Sequence, residues 1–160
     1  MKRITRISAA TGLCAVFALS LAAGPARADG NPFVGRWHWN RAQSTLPAGE
    51  PIPADMVANF ARVDASHVRW SITTTDAKGH SSVQKFDTPA NGEFYPISGD
   101  ATASFQVKGA TLQAIFKGED GESDTLTCMV SSDQKTMTCK GLLTGTDGKA
   151  EPYLDVYDRG

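Results

Sequence analysis

The stretch Phe33-Val34-Gly35-Arg36-Trp37-His38-Trp39-Asn40 decides how the rest of the chain is read. Side chains alternate faces along a strand, so Trp37 and Trp39 point one way and Arg36 and His38 the other. Gly35 shares the tryptophan face and lets another backbone approach closely there. Two indoles on one side of a short strand require an apolar surface to cover them. Everything downstream reads as short strands joined by polar turns, so the remaining strands are expected to close around this one.

Working outward, Asn40 to Ser44 has the character of a short helical turn, and Pro47, Pro51 and Pro53 hold an extended loop. Met56 to Val63 reads as a strand without a clear inward face. Val68, Trp70, Ile72 and Thr74 alternate with Arg69, Ser71, Thr73 and Thr75, the pattern of a half-buried strand. His80 to Asp87 returns the chain after the turn Asp76-Ala77-Lys78-Gly79, and Thr88 to Gly92 is expected to be a loop leading into Phe94-Tyr95-Pro96-Ile97. Ala101, Ala103, Phe105 and Val107 share one face, as do Ala110, Leu112, Ala114 and Phe116. Leu126, Cys128 and Val130 face Met137 and Cys139 across another turn, and Tyr153 to Arg159 forms the last strand. Turn signals recur about every ten residues, and no long crossover connection interrupts them. The expected fold is therefore all-β, an eight- to nine-stranded antiparallel up-and-down barrel whose closure removes exposed edges.

Cys128 and Cys139 stand equally far from the middle of the turn Ser132-Asp133-Gln134-Lys135. If that turn is a four-residue hairpin loop, the two sulfurs lie directly opposite each other in a non-hydrogen-bonded pair, where Cα atoms come closest. A disulfide there closes a short loop and is worth roughly 2–3 kcal/mol. The spacing is not that of a redox-active C-x-x-C pair, so a structural staple is expected.

The first residues read as an address. Lys2, Arg3 and Arg6 form a basic segment, Leu13 to Ala23 is apolar but too short to span a bilayer, and Ala26-Arg27-Ala28 fits a small-x-small cleavage site. Residues 1–28 are thus expected to be a signal peptide removed after Ala28, leaving residues 29–160 as one barrel domain in the periplasm or outside the cell. Cys14 is rejected as a lipidation site because bulky Leu13 precedes it and apolar chain follows. The segment carries Lys2, Arg3, Arg6 and Arg27 and no acid, so removing four positive charges from a net charge of -1 leaves -5. No basic patch of the kind nucleic acid requires is present, and no later stretch is apolar enough for a membrane helix. Neither nucleic-acid binding nor stable membrane insertion is expected.

Two sets of residues carry a resemblance. Gly35-x-Trp37 on the first strand, with Arg159 ending the last, is similar to the lipocalin arrangement. More extensively, Gly35-x-Trp37 with Asn40 and Ser44, Tyr95-Pro96-Ile97-x-Gly99, Val130-Ser131-x-Asp133-x-Lys135-Thr136 and Val156-Tyr157-Asp158 resemble a family of small secreted bacterial lipocalin-like (calycin-type) β-barrel proteins. Gln134 stands where that family usually has glycine. The resemblance implies that Arg159 packs over Trp37 as a structural plug with Gly35, and that the barrel encloses a cavity. It implies no reaction.

A barrel of this size is filled by side chains or holds one small ligand. The alanines placed inward, Ala101, Ala103, Ala110 and Ala114, leave volume for a cavity, and Trp70, Tyr95, Phe105, Leu112 and Phe116 are the expected ligand-binding residues. The competing expectation is a packed core serving a non-catalytic envelope protein-interaction module, with the proline-rich loop 46–53 as the contact. His38, His67 and His80 lack metal-ligand spacing, and Glu119, Asp120, Glu122 and Asp124 read as a solvated acidic turn rather than a calcium loop. No nucleophile elbow, phosphate loop, zinc-protease motif or dinucleotide fingerprint occurs, so neither an enzyme, a cofactor nor a metal is expected.

Overall fold

The computed structural model describes residues 30–118 and 120–160; the expected signal peptide, its cleavage point after Ala28, and Glu119 lie outside the described residues. Ten antiparallel strands follow in chain order: β1 Gly35–Trp39, β2 Asp55–Val63, β3 His67–Thr75, β4 Ser81–Pro89, β5 Tyr95–Ser98, β6 Ala101–Lys108, β7 Thr111–Lys117, β8 Ser123–Val130, β9 Thr136–Thr144 and β10 Ala150–Arg159. They form one sheet in the order β4-β3-β2-β1-β10-β9-β8-β7-β6-β5, curled into a nearly closed barrel. Among the described residues the count is ten rather than eight or nine, and β1 pairs with β2 on one side and β10 on the other.

Closure is incomplete. The sheet begins at β4 and ends at β5, so these consecutive strands are its two edges. Each is a poor template for pairing with another chain. β5 is only four residues long and carries Pro96 and a register shift, while β4 ends at Pro89 and bears Lys85. Side chains bridge the seam instead: the Phe86 ring of β4 lies 5.5 Å from Phe116 and 6.2 Å from Phe105. Thr88 and Pro89, expected in a loop, continue β4 opposite Val68 and His67.

The inward face of β2 resisted a simple alternation for a physical reason. Met56, Ala58 and Phe60 are buried, a bulge follows between Phe60 and Arg62, and Val63 is the next buried residue. One extra residue shifts the phase, so three positions rather than two separate successive core side chains. Ala103 and Ala114 are buried as expected, whereas Ala110 is exposed in the β6–β7 turn, because the strand does not begin until Thr111.

One end of the barrel is plugged. Trp37 is fully buried, its indole nitrogen donating to the Phe33 carbonyl at 2.7 Å, and the Arg159 guanidinium stacks 4.2 Å from its ring. Arg159 donates in turn to the carbonyls of Gln134 (2.6 Å), Val34 (3.0 Å) and Pro32, joining the β8–β9 turn to the segment before β1. Gly35 has φ +131°, and a Cβ there would lie 2.8 Å from Arg159 Nη1, so this close approach requires glycine. The disulfide Cys128–Cys139 joins directly opposed residues of β8 and β9 with Cα atoms 3.9 Å apart. Ser131 donates its backbone N–H to Thr136, which closes the four-residue loop 132–135 and makes the cysteines the close, non-hydrogen-bonded pair. Gln134 sits at φ +58°, a left-handed conformation that glycine adopts without cost.

Candidate functional site

The barrel interior is not filled. A cavity of about 410 Å³ runs inside it, opening toward the end opposite the Arg159 plug, where a second hollow of about 490 Å³ lies under the proline-rich loop. Hydrogen bonds hold that loop at three points: Thr45 pairs with Leu154, Ala48 N–H donates to the Glu151 carboxylate at 2.8 Å, and Ala54 N–H donates to the Thr75 carbonyl at 2.8 Å. The unfilled interior goes against the packed core that the envelope-module alternative requires.

One wall of the cavity follows directly from strand register. Phe60, Trp70 and Phe86 are cross-strand partners on β2, β3 and β4, and their rings stack at 5.1 and 4.6 Å. Across the seam, Phe105 and Phe116 meet edge to face at 5.7 Å. Large residues on β6 and β7 oppose small ones, Phe105 facing Ala114 and Phe116 facing Ala103. This large–small pairing leaves space that a uniform set of large side chains would close. Trp70, Phe105, Leu112 and Phe116 are therefore brought together on one lining, with both disulfide cysteines. Tyr95 is not part of that lining: on the edge strand β5, its hydroxyl accepts from Asn91 Nδ2 at 2.8 Å and lies 3.3 Å from Glu93, which ties the side chain to the loop before the strand.

A polar group stands where the cavity meets the outer hollow. Asp124, Tyr153 and Asp155 line both spaces. The Tyr153 hydroxyl donates to Asp124 Oδ2 at 2.7 Å, and the Trp39 indole nitrogen donates to Asp155 Oδ1 at 2.8 Å. Asp124 Oδ1 and the Trp70 indole nitrogen are buried without a hydrogen-bond partner. Burial pushes the Asp124 carboxyl up to about 6, with the Asp155 charge adding to it and the Tyr153 hydrogen bond opposing it. Burial also raises Asp155, against the hydrogen bond from Trp39. Tyr153 and Tyr157 are raised by burial and by the neighbouring carboxyls, so both hydroxyls stay protonated.

The acidic-turn reading of Asp124 is thus corrected. Asp124 is the first inward position of β8, in phase with Leu126, Cys128 and Val130, whereas Asp120 and Glu122 are exposed. Asp155 and its tyrosine neighbours were missed altogether. The signal was present: Tyr153, Asp155 and Tyr157 have the parity of Arg159, and placing Arg159 over Trp37 places all of them on the inner face.

Strand order and cavity together define a lipocalin-like, up-and-down antiparallel β-barrel. Among solved structures, the chain is similar to the fluorescent protein UnaG (TM-score 0.54, 13% identity, 80% of this chain and 97% of that one). It is also similar to the zebrafish ileal bile acid-binding protein complexed with cholic acid (TM-score 0.52, 12% identity, 81% and 99%). No protein-family model and no curated protein sequence matches the chain. No helix among the described residues is long and apolar enough to cross a membrane.

Proposed function

We propose that this chain is an exported, non-catalytic carrier or sensor of a small apolar molecule, working in the periplasm or outside the cell after removal of residues 1–28. The observation that carries this reading is the cavity of about 410 Å³ walled by Phe60, Trp70, Phe105 and Phe116. Its volume falls in the range of small-molecule sites, and its lining is apolar with a few placed polar groups. A similar barrel built for a bile acid supports a ligand in the interior. The basic and apolar N-terminal segment supports export, and the disulfide suits an oxidising compartment.

The test is native purification of the exported protein, intact mass measurement, and titration with lipophilic fluorophores. A co-purifying small molecule or saturable fluorophore binding is expected. An empty protein that binds no member of the panel overturns carriage.

A further inference from the structure

Two features of the cavity point past a generic apolar ligand to a charge selectivity, which rests on the carrier reading. The first is where charge sits. Asp124 and Asp155 occupy the neck between the barrel cavity and the outer hollow, so a molecule whose body fills the barrel presents its remaining end to two carboxyls. Among the described lining residues of the barrel cavity, Lys117 is the one cation, and its ammonium lies outward, 4.0 Å above the ring of Phe94, which is not part of the lining. Arg159 is engaged at the opposite, plugged end. The second feature is an acceptor without a donor: Asp124 Oδ2 takes the Tyr153 hydroxyl, but Oδ1 is buried with no protein group donating to it. A buried carboxylate oxygen in that state is costly unless something else supplies the hydrogen bond.

We propose that the cavity selects a small apolar amine, its body against the aromatic wall and its ammonium at the neck between Asp124 and Asp155. An ammonium donates up to three hydrogen bonds and accepts none, which fits a neck offering acceptor oxygens. A carboxylate ligand meets the ionised Asp124 at the neck and no inward cation on the barrel lining; Lys78 lines only the outer hollow, beside Glu50 and Asp76, and the unpartnered Trp70 indole N–H is a single neutral donor. The preference therefore runs opposite to that of a barrel holding cholic acid. At neutral pH Asp124 is mostly ionised, as the charge pairing needs.

The experiment uses three probes of one skeleton, 2-(2-naphthyl)ethylamine, 2-(2-naphthyl)ethanol and 2-naphthylacetic acid, titrated calorimetrically into the purified chain at neutral pH. The amine is expected to bind roughly tenfold or more tighter than the acid, as charge-assisted pairing at a partly desolvated site implies. Asp124→Asn and Asp155→Asn together are expected to erase that preference, bringing the amine and acid affinities to within about twofold of each other. Equal binding of all three, or a tighter acid, overturns amine selection and leaves carriage standing. Binding of none overturns both. If the double variant does not fold, the order of the three affinities on the native chain still decides.

Discussion

At the scale of single residues, Gln134 and Asp124 each carry a measurable cost of the fold. Gln134 is held at φ +58° at the hinge of the β8–β9 turn, and its carbonyl receives the Arg159 Nε–H. Gln134→Gly removes a side chain from a left-handed conformation while keeping that carbonyl. Set against the greater flexibility glycine gives the unfolded chain, it is expected to stabilise by about 0.5–1 kcal/mol, read as a higher urea midpoint at unchanged slope. Asp124 sets a pH dependence whose sign follows from its raised folded-state pKa. Unfolded, the carboxyl loses its proton near 3.9; folded, it keeps it to about 6. The native state therefore binds more protons in between, and stability falls as pH rises from about 4 to about 6. Exposed acids such as Asp76, Asp87, Asp133 and Asp147 are held below the usual range by hydrogen bonds. Their contribution is lost only as pH falls from about 4 downward, so it is constant across this window, whereas Asp155, also raised by burial, adds to the fall with the same sign as Asp124. Thermal melts from pH 4.5 to 6.5 are expected to show a falling Tm in the native chain and a flatter profile in Asp124→Asn.

Among the elements, the β8–β9 hairpin is the most completely specified. A four-residue turn sets the register, the register opposes Cys128 and Cys139, and both cysteines fall on the inner face with Leu126, Val130 and Met137. These residues show the agreement in advance, because turn length and side-chain period are local properties. Replacing both cysteines with alanine is expected to cost roughly 2–3 kcal/mol of unfolding free energy in denaturant titration. The hairpin register is expected to persist, since Ser131, Asp133 and Thr136 hold the turn by their own hydrogen bonds. β2 shows the opposite case. Its alternation breaks at the bulge after Phe60, and no local pattern announces which residue is extra. β5 likewise escaped a local reading: Tyr95 and Ile97 share parity, yet Ile97 lines the cavity while the Tyr95 hydroxyl is drawn to Asn91 and Glu93 in the preceding loop.

For the whole molecule, the decisive quantity is the space left when large and small residues oppose each other across β6 and β7. Ala114 is buried on the lining, facing Phe105 across the two strands. Ala114→Phe would place one more ring in the cavity, which has room for it, so the expected result is lost fluorophore binding with an unchanged or raised Tm. A large fall in Tm would mean that the interior cannot accept the added volume.

The amino-acid order alone settled what depends on nearest neighbours along the chain and on one turn at a time. That covers the alternation of β3 and β6 to β9, most of the turns, the facing cysteines, and, through resemblance, the Gly35–Trp37–Arg159 plug, but not β2, the end of β4 or Ala110. It also brought Trp70, Phe105, Leu112 and Phe116 to one inner face, because side-chain parity is a local property. Only the tertiary structure decided where the sheet stops short of closing, how much volume remains inside, and that Asp124 and Asp155 meet at the neck. Those features depend on how ten strands are staggered against each other around a curved sheet. A bulge or a one-residue shift in any strand re-aims every side chain beyond it.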